Sequence, residues 1–111
     1  MSAGTYNFTI EQGTTFSRVL TLQENSSAMN LTGYSVASQM RSTHDSSTVV
    51  ATFSGSVTNA SSGQITLSLT NSQTSAIEEA IYVYDVEITS GAGAVTRILE
   101  GNVTVTPEVT R

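Results

Sequence analysis

His44 followed by Asp45 is the one histidine–carboxylate neighbour pair in the sequence, and His44 is the sole histidine. A catalytic dyad needs a nucleophile and an orienting group held rigidly around it. This pair instead falls in the polar stretch Ser42–Ser47, which reads as a solvated loop. Glu78-Glu79 offers two carboxylates, but adjacent side chains point apart, and hard cations want several oxygens at staggered spacing. Asp85 and Glu87 share one face of a strand, the placement that glycoside chemistry uses. Polar-out alternation on a half-buried strand produces the same pattern without any chemistry. Gly91-Ala92-Gly93 reads as a hairpin, since no helix start follows it to cradle a phosphate. No catalytic residue, no metal site and no cofactor site is assigned, and the chain is expected not to be an enzyme.

Asn-x-Ser/Thr sequons occur at Asn7, Asn25, Asn30, Asn59 and Asn102. With 17 Ser and 18 Thr among 111 residues, chance alone supplies most of them. Charged residues make up 12%, about half the usual share. Nine acids oppose four bases, all arginine (18, 41, 97 and 111), for a net charge of −5. A nucleic-acid binder needs clustered positive charge to displace counterions, and anionic membranes ask the same. Neither partner is expected. Cysteine is absent, so neither disulfides nor thiolate metal sites arise, and the redox compartment is left open. Met1-Ser2-Ala3-Gly4 has no basic or apolar stretch, so no secretory signal is expected. No run approaches the roughly 20 apolar residues of a membrane span.

Period-2 alternation recurs throughout, punctuated by turn signals. Seven strands are expected: Tyr6–Ile10, Thr14–Leu22, Tyr34–Arg41, Thr48–Phe53 with an extension toward Val57, Ile65–Leu69, Tyr82–Ile88 and Val95–Val105. Turns are expected at Glu24–Ser27, Asn30–Gly33, Asn59–Gly63 and Gly91–Gly93. Arg18 falls in the apolar phase of its strand, so it either snorkels from the core edge or marks a bulge. Residues 70–80 carry one short helical turn, capped by Asn71 or Ser72. Gly101 is expected to kink the last strand and Pro107 to end it. The inward set is Phe8, Ile10, Phe16, Leu20, Val36, Ile65, Leu67, Leu69, Val86, Ile88, Val95, Leu99 and Val103. Regular strands, half-buried faces and no long helix predict an all-β, immunoglobulin-like antiparallel β-sandwich. The likeness is architectural, because the Cys…Trp…Cys signature is missing. With no repeat and no linker, residues 1–111 form a single domain.

The succession Phe8-Thr9-Ile10-Glu11-Gln12-Gly13-Thr14-Thr15-Phe16, Asn30-Leu31-Thr32-Gly33-Tyr34, Ser62-Gly63-Gln64-Ile65-Thr66-Leu67-Ser68-Leu69-Thr70, Tyr82-Val83-Tyr84-Asp85-Val86-Glu87-Ile88 and Glu100–Arg111 resembles a tailed-phage virion protein. It is similar to the N-terminal domain of the phage baseplate upper protein family, over nearly the whole chain. Each motif is turn plus alternation; the order carries the specificity. The resemblance implies a tail- or baseplate-associated adaptor that docks fibres or neighbouring virion proteins. It also implies many symmetric copies and residence in the virion after assembly in the host cytoplasm. That family continues into a fibre-forming part where this chain stops at Arg111, so the docking module without the arm is expected. A capsid decoration or collar protein, touching tail, fibre or capsid proteins, is the alternative. A carbohydrate-binding sandwich is a further one, opposed by the absence of Trp platforms. The termini, Met1–Thr5 and Pro107–Arg111, lie outside the alternation and are expected to order on a neighbour.

Overall fold

The computed structural model describes residues 4–24 and 27–109, with Glu24 described by its backbone alone. In chain order the strands are β1 (Gly4–Thr5), β2 (Phe8–Glu11), β3 (Phe16–Thr21), β4 (Gln23–Glu24) and β5 (Ser27–Ala28). They continue with β6 (Ser35–Arg41), β7 (Ala51–Asn59), β8 (Gln64–Leu69), β9 (Ala80–Thr89) and β10 (Val95–Thr106). One short helix, α1 (Asn71–Ser75), lies between β8 and β9. The fold is all-β, and the seven expected strands are β2, β3 and β6 to β10.

Strand order follows β1-β10-β9-β6-β7-β8-β3, with β2 also paired to β10 and a separate β4–β5 hairpin. One layer holds β10, β9 and β6; the other holds β3 and β8. β7 joins them, pairing with β6 through Ala51–Phe53 and with β8 through Ser54–Asn59. This is the immunoglobulin-like partition, curled through one long strand. The expected antiparallel pairing holds from β10 through β3, and the sheet is mixed at its other edge, where β1 and β2 run parallel to β10. The reason is parity: seven strands that reverse at each connection leave the first and the last pointing the same way.

Alternation places Ile65, Leu67 and Leu69 of β8 and Tyr82, Tyr84, Val86 and Ile88 of β9 in the core. Between the layers Phe8 stacks on Phe16 (5.3 Å, 15°) and meets Tyr84 edge-on (4.8 Å, 65°). Aromatic pairs in these geometries add about 0.5–1.5 kcal/mol beyond their burial. Arg18 resolves as the snorkelling residue, since β3 and β8 pair without a register shift. Its guanidinium lies over the Phe8 and Phe16 rings at 5.8 and 5.9 Å and donates to the Tyr6 hydroxyl (2.8 Å).

The last strand departs from expectation. Register shifts between Arg97 and Leu99, and this bulge changes the inward phase. Ile98 is buried, Val95 is 61% exposed and Leu99 is half-buried, so Val95 leaves the inward set. Val36 is likewise half-buried, its strand turning Ser38 and Met40 fully inward. Gly101 does not kink the strand; it stays in register with Tyr84. A Cβ at Gly101 would overlap the Tyr6 carbonyl, so glycine is required there by the close approach of the β1–β2 connection.

The helix cap is Thr70 rather than Asn71 or Ser72. Its hydroxyl accepts from Gln73 N–H, and the Gln73 side chain accepts from Thr70 N–H, a capping box. Thr74, fully buried, donates to the Thr14 carbonyl (2.7 Å) and ties the helix to the β2–β3 turn. The Asn30 and Asn59 side chains accept from backbone N–H groups of Thr32 and Ser62, building the two expected turns. Gly93, at φ 90°, donates to Ser90 in the expected hairpin. Gly4–Thr5 corrects the expected terminus, being already a strand on Leu99–Glu100. Met1–Ala3, Asn25 and Ser26 of the turn expected at Glu24–Ser27, with the Asn25 sequon, and Thr110–Arg111 lie outside the described residues.

Candidate functional site

Cross-strand register decides which polar side chains meet. On the outer face of β6, β9 and β10, Gln39 sits beside Asp85, and Asp85 beside Glu100. One row along, Ala37 sits beside Glu87, and Glu87 beside Arg97. In an unbroken strand residues 97 and 100 point to opposite faces. The bulge turns both outward, and Arg97 then reaches Asp85 (Nε–Oδ2 3.3 Å) and Glu100 (3.8 Å). Carboxylates placed directly opposite each other destabilise a sheet. Arg97 offsets that for Asp85 and Glu100, at the modest strength of a half-exposed pair.

This face is concave. A groove of about 580 Å³ runs over it, with Ala37, Gln39, Val83, Asp85 and Glu87 along the floor. Arg97 and Glu100 form one wall, and Arg41, His44 and Thr52 the other. Arg41 is fixed in place, donating to the Ser46 carbonyl (2.8 Å) and to Gln39 Oε1 (3.0 Å). Glu87 forms no ion pair among the described residues. From Val83 to Glu87 the floor extends roughly 13 Å, at about 3.3 Å per strand residue.

The candidate residues of the sequence separate in space. His44 and Asp45 lie exposed in the loop after β6, with His44 at the groove rim. Glu78 and Glu79 are exposed before β9; the backbone carbonyl of Glu78 accepts from the Tyr82 hydroxyl (2.7 Å). Asp85 and Glu87 do share one face, and Asp85 is held by Arg97. Among the described residues no three His, Asp or Glu side chains come together as a metal site. Of the sequon asparagines, Asn7 Oδ1 accepts from Asn102 N–H (2.9 Å), fastening the β1–β2 connection to β10. Sequence reasoning missed Gln39, Arg97 and Glu100. Positions 39, 85 and 100 become neighbours through register alone, and the bulge hid Arg97 in the apolar phase.

The opposite outer face has different chemistry. Ser17, Val19 and Thr21 of β3 pair with Ser68, Thr66 and Gln64 of β8. Those in turn neighbour Ser54 and Ser56 of β7. No charged side chain falls in these rows. β3 closes the strand order, and its second edge has no strand partner among the described residues.

No protein-family model matches the chain, and no curated protein matches it in sequence. Among solved structures it is similar to an internalin-like protein of Listeria monocytogenes, at 16% identity and a TM-score of 0.49. The match covers 94% of this chain, which spans 28% of the length of that one.

Proposed function

We propose that this chain is a non-enzymatic structural protein of a tailed-phage virion, a docking module for fibres or neighbouring proteins at the tail or baseplate. The observation that carries the reading is the uncharged outer surface of β3, β8 and β7, bordered by the open β3 edge. Edge strands that must stay unpaired are usually blunted by lysine, proline or a bulge. β3 has no lysine, proline or bulge, and Val19 on the outer face is 56% exposed. Its one charge, Arg18, an inward-pointing residue of the kind that also guards edges, is engaged by Tyr6 and the Phe8 and Phe16 rings. Hydroxyl groups shed water at lower cost than charges and both donate and accept hydrogen bonds. A partner strand added to β3 would gain main-chain hydrogen bonds, with the serine and threonine rows setting its register. Many copies around a symmetry axis make such small contacts additive. The motif order that resembles the baseplate upper protein family supplies the virion context; a capsid decoration or collar protein would use the same surface.

Two measurements test this. The chain should be found in purified virions and located in a particle map with β3 against a neighbour. In that phage, Val19→Lys should leave thermal unfolding within a few degrees of the parent chain and strongly reduce incorporation. Absence of the chain from purified particles, or normal incorporation of a Val19→Lys, Thr66→Lys double variant, overturns the reading.

A further inference from the structure

We propose that the groove over β6, β9 and β10 is a binding site for a neutral saccharide. Its volume, about 580 Å³, falls in the usual range of ligand sites, roughly 300–1,000 Å³. Its lining mixes both charge signs, with Asp85, Glu87 and Glu100 against Arg41 and Arg97. An anion entering it meets three carboxylates, and a cation meets two guanidinium groups, so neither kind of charge is favoured. A neutral polyol matches what remains, because each hydroxyl donates to a carboxylate and accepts from an amide or guanidinium. Carboxylate, carboxamide and guanidinium are planar and two-pronged, and adjacent hydroxyls on a sugar ring present paired partners to such groups.

The polar groups are also held in advance. Arg97 is fixed by two carboxylates, and Arg41 by Ser46 and Gln39. Gln39 Oε1 is engaged by Arg41, which leaves its amide N–H groups to donate. Glu87, without an ion-pair partner among the described residues, is the principal acceptor. Ala37 and Val83 give the floor small apolar spots for the C–H faces of a sugar ring. A peptide fits less well. β9 is paired on both sides along the floor and β6 is paired with β7 from Ser38 to Met40, so the floor offers mainly side chains and little free main chain for strand addition. Without an aromatic platform the affinity should lie in the millimolar range.

The proposal is independent of the docking surface, which lies on the opposite face, so either fails without the other. The test is a titration of the isotope-labelled full chain with cellobiose, maltose, lactose and N,N′-diacetylchitobiose, followed by amide NMR shifts. At least one sugar should give saturable shifts centred on Gln39, Val83, Asp85 and Glu87. Glu87→Ala should weaken that binding about tenfold or more, while the Ser17–Thr21 and Gln64–Leu69 amides keep their shifts as evidence of folding. Thr66→Ala, on the opposite face, should bind as the parent does. No saturable shift with any of the four sugars overturns the proposal, as do shifts confined to the β3–β8 face. Unchanged affinity in folded Glu87→Ala overturns it, and so does saturation by lysine or inorganic phosphate in place of the sugars.

Discussion

Tyr84 joins the core to the chain's entry point. Its ring packs edge-on against Phe8, and its hydroxyl donates to the Tyr6 carbonyl at 2.5 Å. Burial first, and the neighbouring Tyr6 second, push its phenol well above the ordinary tyrosine range. Tyr82 moves in the same direction, through burial and then the charge of Glu78. The consequence for stability has a definite sign. In the unfolded chain a tyrosine titrates near pH 10. Above about that pH the unfolded chain gives up a proton that the native chain keeps, so the unfolded state gains. The contribution is fully present below that pH and is lost as pH climbs toward the native value. Urea unfolding across the alkaline range should therefore show stability falling above about pH 10, less steeply in Tyr84→Phe than in the parent. At neutral pH Tyr84→Phe should cost about 1 kcal/mol, the hydrogen bond to Tyr6. Equal alkaline slopes in the two chains would show that this phenol contributes nothing to the pH dependence.

The bulge at Ile98 turns β10 into two short strands of opposite phase. Ile98 is 7% exposed and Val95 61% exposed, although the plain alternation of β10 assigns them the reverse roles. Ile98→Ala should cost about 2–5 kcal/mol, and Val95→Ala no more than about 0.5 kcal/mol, as at an ordinary surface position. Comparable losses from both would place Val95 in the core and remove the bulge. The same strand shows what alternation can and cannot convey. β8 and the Tyr84–Ile88 part of β9 were legible because their polar and apolar positions never trade places. β10 carried a warning, since Ile98 broke the polar phase and Arg97 the apolar one; a single shift of phase at 98 resolves both. Thr70-x-x-Gln73 is a capping-box spacing present in the sequence, but it adjoins the strand residue Leu69, and two better-placed candidates, Asn71 and Ser72, follow it. Of the groove, the sequence offered only His44 and the shared face of Asp85 and Glu87. Gln39, Asp85 and Glu100 lie far apart in sequence and meet only once strand order and register are known.

Parity of strand direction sets the shape of the whole molecule. Because first and last strands run parallel, β2 enters beside the middle of β10 and both leave the sheet at the same end, Glu11 beside Thr106. Gln12 fastens that end, donating to the Ile77 carbonyl (2.8 Å) and accepting from Glu108 N–H (3.2 Å). Residues 4–11 thus contribute unequally. Gly4–Thr5 pair with Leu99–Glu100 but are exposed, so their removal gives up a short stretch of ladder and little apolar burial. Phe8 and Ile10 are core residues at 7% and 0% exposure, and Tyr6 receives the hydrogen bonds of Arg18 and Tyr84. Truncating a buried Phe or Ile costs about 2–5 kcal/mol each, and a small domain's entire stability is about 5–15 kcal/mol. A chain beginning at Tyr6 should therefore unfold cooperatively within about 1 kcal/mol of the parent. A chain beginning at Glu11 should lose roughly 4–10 kcal/mol from Phe8 and Ile10 alone and show no cooperative transition at room temperature. Thermal unfolding followed by circular dichroism separates the two. A cooperative transition in the shorter chain would mean that β2 is an appended strand and that β3 to β10 close the core without it.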